Sequence, residues 1–125
     1  ASSILDCLEI PYRIILLAGS DTGFTSSKTY DIEAWIPGKR CFIEVSSCSN
    51  TLDFQSKRMN SKILATGKFN KEFHFYPHIL NGSGLAVGRT FISILENYQD
   101  SSGNIKVPQV LVPYMSGVTK LFLSK

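Results

Sequence analysis

The clearest pattern in the chain is a period-two alternation of apolar and polar residues over positions 29–36, which predicts a β-strand with one apolar face. That face carries Tyr30, Ile32, Ala34 and Ile36, and the opposite face carries Asp31, Glu33 and Trp35. Pro37 and Gly38 come next and predict a turn. Because residues 41–45 are again strand-like, the whole segment predicts a β-hairpin.

The first half of the chain contains three further predicted elements. The continuous apolar run at 12–17 predicts a strand at the centre of a sheet, where both faces are buried. Residues 3–8 predict a short helix end. Residues 51–62 predict a longer helix with Thr51 or Asn50 as its N-terminal cap.

The second half of the chain predicts a strand, a turn and a helix in succession. Residues 65–68 predict a loop, residues 72–80 a strand, and residues 85 to about 98 a helix with one apolar side. Two long antiparallel strands followed by a helix, then a strand and a second helix, predict an α+β fold. Its core is expected to be an antiparallel β-sheet flanked by helices.

The turn before the last predicted helix carries candidate chemistry. It reads Asn81-Gly82-Ser83-Gly84-Leu85-Ala86-Val87-Gly88-Arg89. Backbone N–H groups at a helix start favour an anion, and glycine lets a ligand approach the main chain. Arg89 adds a permanently charged fork that suits phosphate oxygens. The segment therefore indicates a phosphorylated ligand.

Two familiar phosphate-binding motifs do not match this turn. No Gly-Lys-Ser or Gly-Lys-Thr closes the run, which excludes a P-loop. The spacing of Gly82, Gly84 and Gly88 departs from G-x-G-x-x-G, and no acidic residue follows about 20 residues later at a strand end. A glycine-rich turn with a surface arginine and no ligand is an equally good interpretation of the spacing alone.

A second polar group follows the returning strand of the hairpin. Glu44 there precedes three hydroxyl residues, Ser46, Ser47 and Ser49. A carboxylate beside hydroxyls supplies the hard oxygen ligands that suit Mg²⁺ carried on the phosphates of a nucleotide. If Glu44 and Arg89 face one pocket, the first holds the metal and the second holds the phosphates. A solvated sheet face with a serine-rich connection is the alternative.

Length and composition limit the class of protein. The chain has 125 residues and is 43% hydrophobic, so it forms one domain or part of one. A net charge of +3 without a dense basic cluster permits a nucleic-acid partner but does not require one. No run of about 18 apolar residues predicts a membrane span, and the start at Ala1 does not resemble a signal peptide.

The cysteines and histidines give weaker indications. Cys7, Cys41 and Cys48 are odd in number and lack C-x-x-C spacing, which predicts buried, reduced thiols in a cytosolic protein rather than a disulfide or a zinc site. His74 and His78 lie on a predicted strand, where residues four apart are too distant to share one metal. Both are expected in the core or at its rim.

Several segments, taken in chain order, closely resemble seryl-tRNA synthetases. They are residues 28–37, 44–50, 53–60, 80–90 and 107–115. The resemblance covers nearly the whole chain. Within it, residues 81–98 are similar to the third signature motif of class II aminoacyl-tRNA synthetases. Ala86 stands where a third glycine is often found, and a small residue there is expected to be tolerated.

The resemblance implies a partial class II catalytic fold from an enzyme that uses ATP and Mg²⁺. That enzyme makes seryl-adenylate from L-serine and then transfers the seryl group to serine tRNA. Glu44, with Ser47 beside it, is implied to coordinate Mg²⁺ and the ATP phosphates, and Val45 and Ser46 to line the same ATP site. Arg89 is implied to bind the distal phosphates, which makes Glu44 and Arg89 the expected catalytic residues.

The same resemblance assigns the amino-acid substrate to the glycine-rich turn. Ser83 is implied to bind the substrate serine, and Asn81 to support that pocket. A polar pocket fits this task because alanine, which lacks the hydroxyl, would leave buried donors and acceptors unpaired. Lys57 and Arg58 invite an interpretation as tRNA contacts, but a solvated helix face is the simpler interpretation of two adjacent charges.

The resemblance also implies that residues 1–125 are the C-terminal portion of the synthetase catalytic domain. The tRNA-binding arm and the first two class II motifs are not found in the sequence, so the chain alone is expected to be inactive. The parent enzyme is expected to be a cytoplasmic homodimer without membrane association. Two other functions stay open: a paralogue that charges a carrier protein, and a non-catalytic binding or regulatory module.

Overall fold

The computed structural model of the chain describes residues 1–67 and 72–122. Helices and strands alternate irregularly along the chain. They are α1 (Ser2–Cys7), β1 (Tyr12–Leu16), β2 (Lys28–Ile36), β3 (Cys41–Asn50), α2 (Phe54–Met59), β4 (Ile63–Thr66), β5 (Glu72–Phe75), β6 (Leu80–Gly82), α3 (Val87–Tyr98), β7 (Ile105–Lys106), a 3₁₀ helix (Gln109–Met115) and β8 (Lys120–Leu121).

Four of these strands form the main sheet, in the order β1-β2-β3-β6. Strand β6 pairs antiparallel with β3, so that Cys48, Ser49 and Asn50 lie opposite Gly82, Asn81 and Leu80. Two smaller antiparallel ladders join β4 to β5 and β7 to β8. The predicted α+β class with an antiparallel sheet is confirmed.

The described residues pack as two compact units. The first contains residues 1–15 and 32–46 together with the described residues from 83 onward. The second contains residues 16–31 and the described part of 47–82. Strands β2 and β3 each have residues in both units, and the sequence between β6 and α3 passes from the second unit to the first.

The apolar core of the first unit lies between α1, the hairpin strands and α3. Its buried side chains are Leu5, Leu8, Ile10, Ile32, Ala34 and Val45. Ile94 and Tyr98 of α3 pack against them and are partly buried. Burying one such aliphatic side chain stabilises a fold by about 1.5–3 kcal/mol. The apolar face predicted by the alternation over 29–36 therefore faces this core through Ile32 and Ala34.

Hydrogen bonds from side chains to backbone carbonyls fix the C-terminal end of α3. The Asn97 side-chain amide donates to the Trp35 carbonyl at 2.9 Å, and the Tyr98 hydroxyl donates to the Leu8 carbonyl at 2.6 Å. One bond reaches the hairpin and the other reaches the end of α1. Because both lie in the last turn of α3, they set the orientation of the helix axis against the rest of the first unit.

The second unit uses buried hydroxyl groups in a similar way. The Ser56 hydroxyl donates to the Pro77 carbonyl at 2.7 Å, and the Thr51 hydroxyl donates to the Ile79 carbonyl at 3.0 Å. Both side chains are buried. These bonds attach α2, and the turn before it, to the segment that leads into β6.

Two predictions about strands are wrong. Strand β1 forms where it was predicted, but it lies at the edge of the four-stranded sheet of the described residues, and most of its side chains are at least half-exposed. The segment predicted as one strand over 72–80 forms two, β5 and β6, which pair with different neighbours. Pro77 lies between them, where it has no N–H to donate to a ladder.

The predicted limits of α2 and of the following loop also need correction. Neither predicted residue caps the helix: the Thr51 hydroxyl bonds to Ile79, and the Asn50 side-chain oxygen accepts from the Leu52 amide. The helix begins later, after Asp53, and ends at Met59. The loop predicted at 65–68 starts as β4, whose last residue is Thr66, and position 68 lies outside the described residues.

The burial predicted for the cysteines and histidines is wrong as well. Cys7 and Cys41 are exposed and Cys48 is partly buried. His74 and His78 are both exposed. Cys7 ends a six-residue helix whose one buried residue is Leu5, and Cys41 directly follows the hairpin turn, so neither side chain reaches the core. Among the described helices, none has the length and apolar character needed to cross a bilayer.

Asp100 gives the turn after α3 a pH-dependent stability. Its carboxylate accepts a hydrogen bond from Lys120 Nζ at 2.8 Å, which, with donors from Asn104 and Ser102, lowers the pKa of Asp100 to about 2. A pKa below the unfolded value of about 3.9 means that the ionised carboxylate stabilises the fold above about pH 4 and that this contribution is lost as the pH falls toward 2.

We therefore expect Asp100→Asn to lower the free energy of unfolding at pH 7, because the charged pair with Lys120 is lost. The difference from the unsubstituted chain should shrink steadily between pH 4 and pH 2. Urea denaturation at a series of pH values measures this difference. Asp21→Asn, in a separate exposed turn, is the control for removal of one charge. A difference that is constant down to pH 2 would contradict the assignment.

Candidate functional site

The start of α3 is held directly on strand β3. The Ala86 amide donates to the Val45 carbonyl at 2.6 Å, and the Thr90 amide then donates to the Ala86 carbonyl at 2.9 Å as the first helical bond. Ala86 makes no side-chain capping bond. Val87 and Gly88, which follow it in the first turn, are exposed. The first turn of α3 thus presents uncapped backbone N–H groups, which favour an anion.

Arg89 lies in this first turn and reaches Glu44. Its Nη1 donates to the Glu44 backbone carbonyl at 2.9 Å and lies 3.7 Å from the Glu44 carboxylate. The two side chains are 54% and 46% exposed. An exposed pair of this kind contributes about 0.2–1 kcal/mol, so a multivalent anion can displace the carboxylate at small cost while the bond to the carbonyl keeps the guanidinium in place.

Ser46 and Ser83 meet beside this pair. The Ser46 hydroxyl is buried and donates to the Ser83 carbonyl at 2.8 Å. This bond fixes the backbone of Ser83, whereas the Ser83 residue itself is exposed. In the first unit the structure therefore brings together five of the predicted site residues, which are Glu44, Val45, Ser46, Ser83 and Arg89.

The other two predicted site residues, Ser47 and Asn81, belong to the second unit. Ser47 is partly buried on β3, and Asn81 is exposed on β6. Asn81 pairs with Ser49 in the ladder, and the Ser49 hydroxyl in turn lies 2.7 Å from the Thr29 hydroxyl. A row of polar side chains thus crosses three strands of this unit. The sequence pattern did not indicate this row, because its members are far apart in the chain.

The glycines of the turn differ in how much space surrounds them for a side chain. A Cβ on Gly82 would lie 2.9 Å from Cys48 Sγ and 3.3 Å from the Cys48 Cα, so even a methyl group there requires the thiol to rotate and the strands to separate by a few tenths of an ångström. A Cβ on Gly84 or Gly88 would meet nothing within 4 Å. Close strand packing therefore favours glycine at position 82, whereas Gly84 and Gly88 leave open space beside the backbone.

The donor set fits a metal ion that arrives on a nucleotide better than a resident one. The described residues contain no group of three or more His, Cys, Asp or Glu side chains placed to hold a metal. Glu44 provides one half-exposed carboxylate. Mg²⁺ commonly takes one or two protein carboxylates and completes its shell with phosphate oxygens and water.

Comparison with protein families identifies the class of protein to which the chain belongs. Residues 1–98 match the family model described as tRNA synthetase class II core domain (G, H, P, S and T). This match spans most of the chain. The protein therefore belongs to the class II aminoacyl-tRNA synthetase core-domain family.

Within that class, serine–tRNA ligases are among the curated relatives that the chain resembles. The enzyme of Wigglesworthia glossinidia brevipalpis is 58% identical over 118 residues, which is 94% of this chain and 27% of the relative. The enzyme of Desulforamulus reducens is 54% identical over 123 residues, 98% of this chain and 28% of the relative. The chain thus spans little more than a quarter of the length of the curated relatives it matches.

Solved structures agree with this similarity. Seryl-tRNA synthetase from Pyrococcus horikoshii, complexed with ATP, superposes with a TM-score of 0.89 at 36% identity, covering 99% of this chain and 27% of that one. The cytoplasmic serine–tRNA ligase of Naegleria fowleri, in complex with AMP, gives 0.86 at 33% identity, covering 99% and 25%. The resemblance to seryl-tRNA synthetases predicted from the sequence is confirmed.

Proposed function

We propose that this chain is part of a serine–tRNA ligase. The parent enzyme activates L-serine with Mg·ATP to give seryl-adenylate and then transfers the seryl group to serine tRNA. The observation that carries the proposal is the contact of Arg89, in the first turn of α3, with Glu44 on β3. The ATP-bound Pyrococcus relative supports ATP as the nucleotide.

Arg89 and the first turn of α3 are the proposed site for the distal phosphates of ATP. The guanidinium, held by the Glu44 carbonyl, gives a fixed positive charge beside uncapped N–H groups. Attack by a serine carboxylate oxygen on the α-phosphorus forms the adenylate and breaks the bond to the leaving pyrophosphate. Charge grows on that leaving group, so a preorganised cation there lowers the barrier.

Glu44 has a second role once phosphate displaces it from Arg89. Its carboxylate is then free to hold Mg²⁺, with the Ser47 hydroxyl as a further proposed oxygen ligand. Bound on the phosphates, Mg²⁺ neutralises part of their charge. Val45 keeps α3 in register through its carbonyl, and Ser46 keeps the backbone of Ser83 in place. These two residues therefore shape the ATP site mainly through the main chain.

Ser83 and Asn81 are the proposed contacts to the amino acid. Both residues are exposed, and they lie on either side of Gly82, whose packing against Cys48 fixes the strand. A hydroxyl and an amide can both donate to and accept from a small polar ligand. Such a site favours serine over alanine where the rest of the parent enzyme shields these groups from water, because alanine then leaves them without a partner.

The assembly and location of the parent enzyme are extensions of the same proposal. The cytoplasmic relative from Naegleria fowleri supports a cytoplasmic enzyme. The predicted homodimer stays a prediction. Among the functions left open by the sequence, relatives named serine–tRNA ligase favour transfer to tRNA over transfer to a carrier protein.

Serine-dependent ATP–pyrophosphate exchange tests this function. The full-length protein is expected to exchange with serine and to give background rates with alanine. The 125-residue chain alone is expected to stay at background, because it spans only about a quarter of its relatives. Absence of serine-dependent exchange in the full-length protein would refute the proposed function, and robust exchange by the isolated chain would refute its predicted inactivity.

A further inference from the structure

The polar row of the second unit ends at a residue proposed to contact the amino acid. Thr29 on β2 and Ser49 on β3 bring their hydroxyl oxygens to 2.7 Å from each other, and Ser49 pairs with Asn81 of β6 in the ladder. Directly paired residues of an antiparallel ladder point to the same face, with Cβ atoms about 4.5–5.5 Å apart. The Ser49 hydroxyl and the Asn81 amide are therefore neighbours on one face of the sheet.

Only one of the two hydroxyl protons is used in the bond between Thr29 and Ser49. Thr29 is 3% exposed, and among the described residues its hydroxyl has no partner other than Ser49. A buried hydroxyl proton without an acceptor is costly, so the favoured arrangement has Thr29 donating and Ser49 accepting. The proton of Ser49, which is only partly buried, then stays available for a further acceptor.

The same face carries a buried carboxylate that folding alone does not explain. Asp31 lies two residues after Thr29 on β2, so the two side chains point to the same face. It is 8% exposed, and its Oδ1 is buried and accepts no hydrogen bond from any described residue. Burying an unpaired polar atom lowers stability. The negative charge suits a ligand that carries an ammonium group, as an amino acid does.

A ligand has access to the polar row at Asn81. This residue is exposed and lines a cleft of about 450 Å³. Its side chain makes no hydrogen bond to another described residue, so the amide oxygen is available as an acceptor. An aliphatic hydroxyl both accepts and donates. A donor on Ser49 and an acceptor on Asn81 can therefore bind one such hydroxyl together.

From this geometry we infer that Ser49 is a further specificity-determining residue of the amino-acid site. Its hydroxyl donates to the hydroxyl oxygen of the substrate serine, and the Asn81 side-chain oxygen accepts the hydrogen of the same group. Thr29 is a positioning residue, which acts by holding the Ser49 hydroxyl in the donating orientation. The inference rests on the proposed function and adds a contact to those of Asn81 and Ser83.

Two ligands of the full-length enzyme isolate this contact. Seryl and alanyl sulfamoyl adenosines differ only in the side-chain hydroxyl, so the ratio of their dissociation constants, measured by calorimetry, reports how well that hydroxyl is recognised. Ser49→Ala is expected to weaken binding of the seryl compound by about 3- to 10-fold, the range for one lost hydrogen bond, and to leave the alanyl compound within twofold. Thr29→Val should lose part of the same ratio, and Thr29→Ser, which keeps the hydroxyl, should retain it.

Thr51→Val is the matched control for loss of a buried hydroxyl. Thr51 belongs to the same unit and is 2% exposed, but its hydroxyl donates to the Ile79 carbonyl rather than to a side chain. This variant is expected to lower the melting temperature and to leave the ratio of the two dissociation constants within twofold. A purely structural role for Thr29 and Ser49 would produce the same result.

Two outcomes would overturn the inference. One is an unchanged ratio in Ser49→Ala, and the other is an equal weakening of both compounds, which would assign the hydroxyl pair to stability alone. Absence of serine-dependent ATP–pyrophosphate exchange in the unsubstituted full-length enzyme would instead refute the proposed function. Because binding of the two compounds requires no catalysis, the two failures remain distinguishable.

Discussion

Replacing Arg89 by alanine in the full-length enzyme is expected to slow serine-dependent ATP–pyrophosphate exchange by about 100- to 1,000-fold, the range seen when one preorganised group that stabilises developing charge is removed. The structure supplies the reason. The guanidinium is fixed by the Glu44 carbonyl in the first turn of α3, so the variant loses a positioned charge as well as a side chain. Exchange rates at saturating serine measure the loss.

One further variant separates the geometry of the Arg89 guanidinium from its charge, and a second is a control. Arg89→Lys keeps the charge but not the planar fork, and it should recover little of the rate if two oxygens of the phosphate chain are bound together. Arg13→Ala is the matched control, since Arg13 is also about half-exposed and is paired with Glu33 on the neighbouring strand. Exchange in Arg89→Ala within fivefold of the unsubstituted enzyme would show that the phosphates lie elsewhere.

Replacing Gly82 by alanine is expected to have the second-largest effect. The added Cβ would lie 2.9 Å from Cys48 Sγ and 3.3 Å from the Cys48 Cα, so the thiol must rotate and β6 must shift from β3 by a few tenths of an ångström. Overpacking of this kind costs about 1–3 kcal/mol of stability. It also displaces the neighbours Asn81 and Ser83, so we expect the KM for serine to rise at least tenfold.

The chain offers a control and a partial rescue for this change. Gly84→Ala adds the same methyl group where nothing lies within 4 Å, and it should leave the KM for serine within twofold. Adding Cys48→Ala to Gly82→Ala removes the closest contact but not the one to the Cys48 Cα, so part of the lost stability should return. Equal effects of the two glycine variants would argue against strand packing as the cause.

Local pattern was sufficient to predict the hairpin and α3. In the hairpin, alternation places Ile32 and Ala34 on the buried face, and in α3 the apolar residues follow a helical period. The helix was predicted to begin at Leu85, two residues before its observed start at Val87. Its first position is decided by a long-range bond, from the Ala86 amide to the Val45 carbonyl, which no local pattern contains.

The wrong predictions share one physical origin: each depends on residues that are distant in the sequence and close in the fold. An apolar run such as 12–17 predicts a strand, but whether that strand lies at the centre or the edge depends on which strands pair with it. Thr51 has the side chain of a helix cap, yet the Ile79 carbonyl takes its hydroxyl.

Helix α3 is held at both ends, by the Ala86–Val45 bond at its start and by Asn97 and Tyr98 in its last turn. Arg89 lies eight residues before Asn97, about 12 Å along the axis. Loss of the distant anchor leaves only the bonds at the start of the helix to position the guanidinium, and a misplacement of about 1 Å there can reduce a rate about a hundredfold. Substitutions at the Asn97–Trp35 contact should therefore be assessed first for turnover, even where the melting temperature is unchanged.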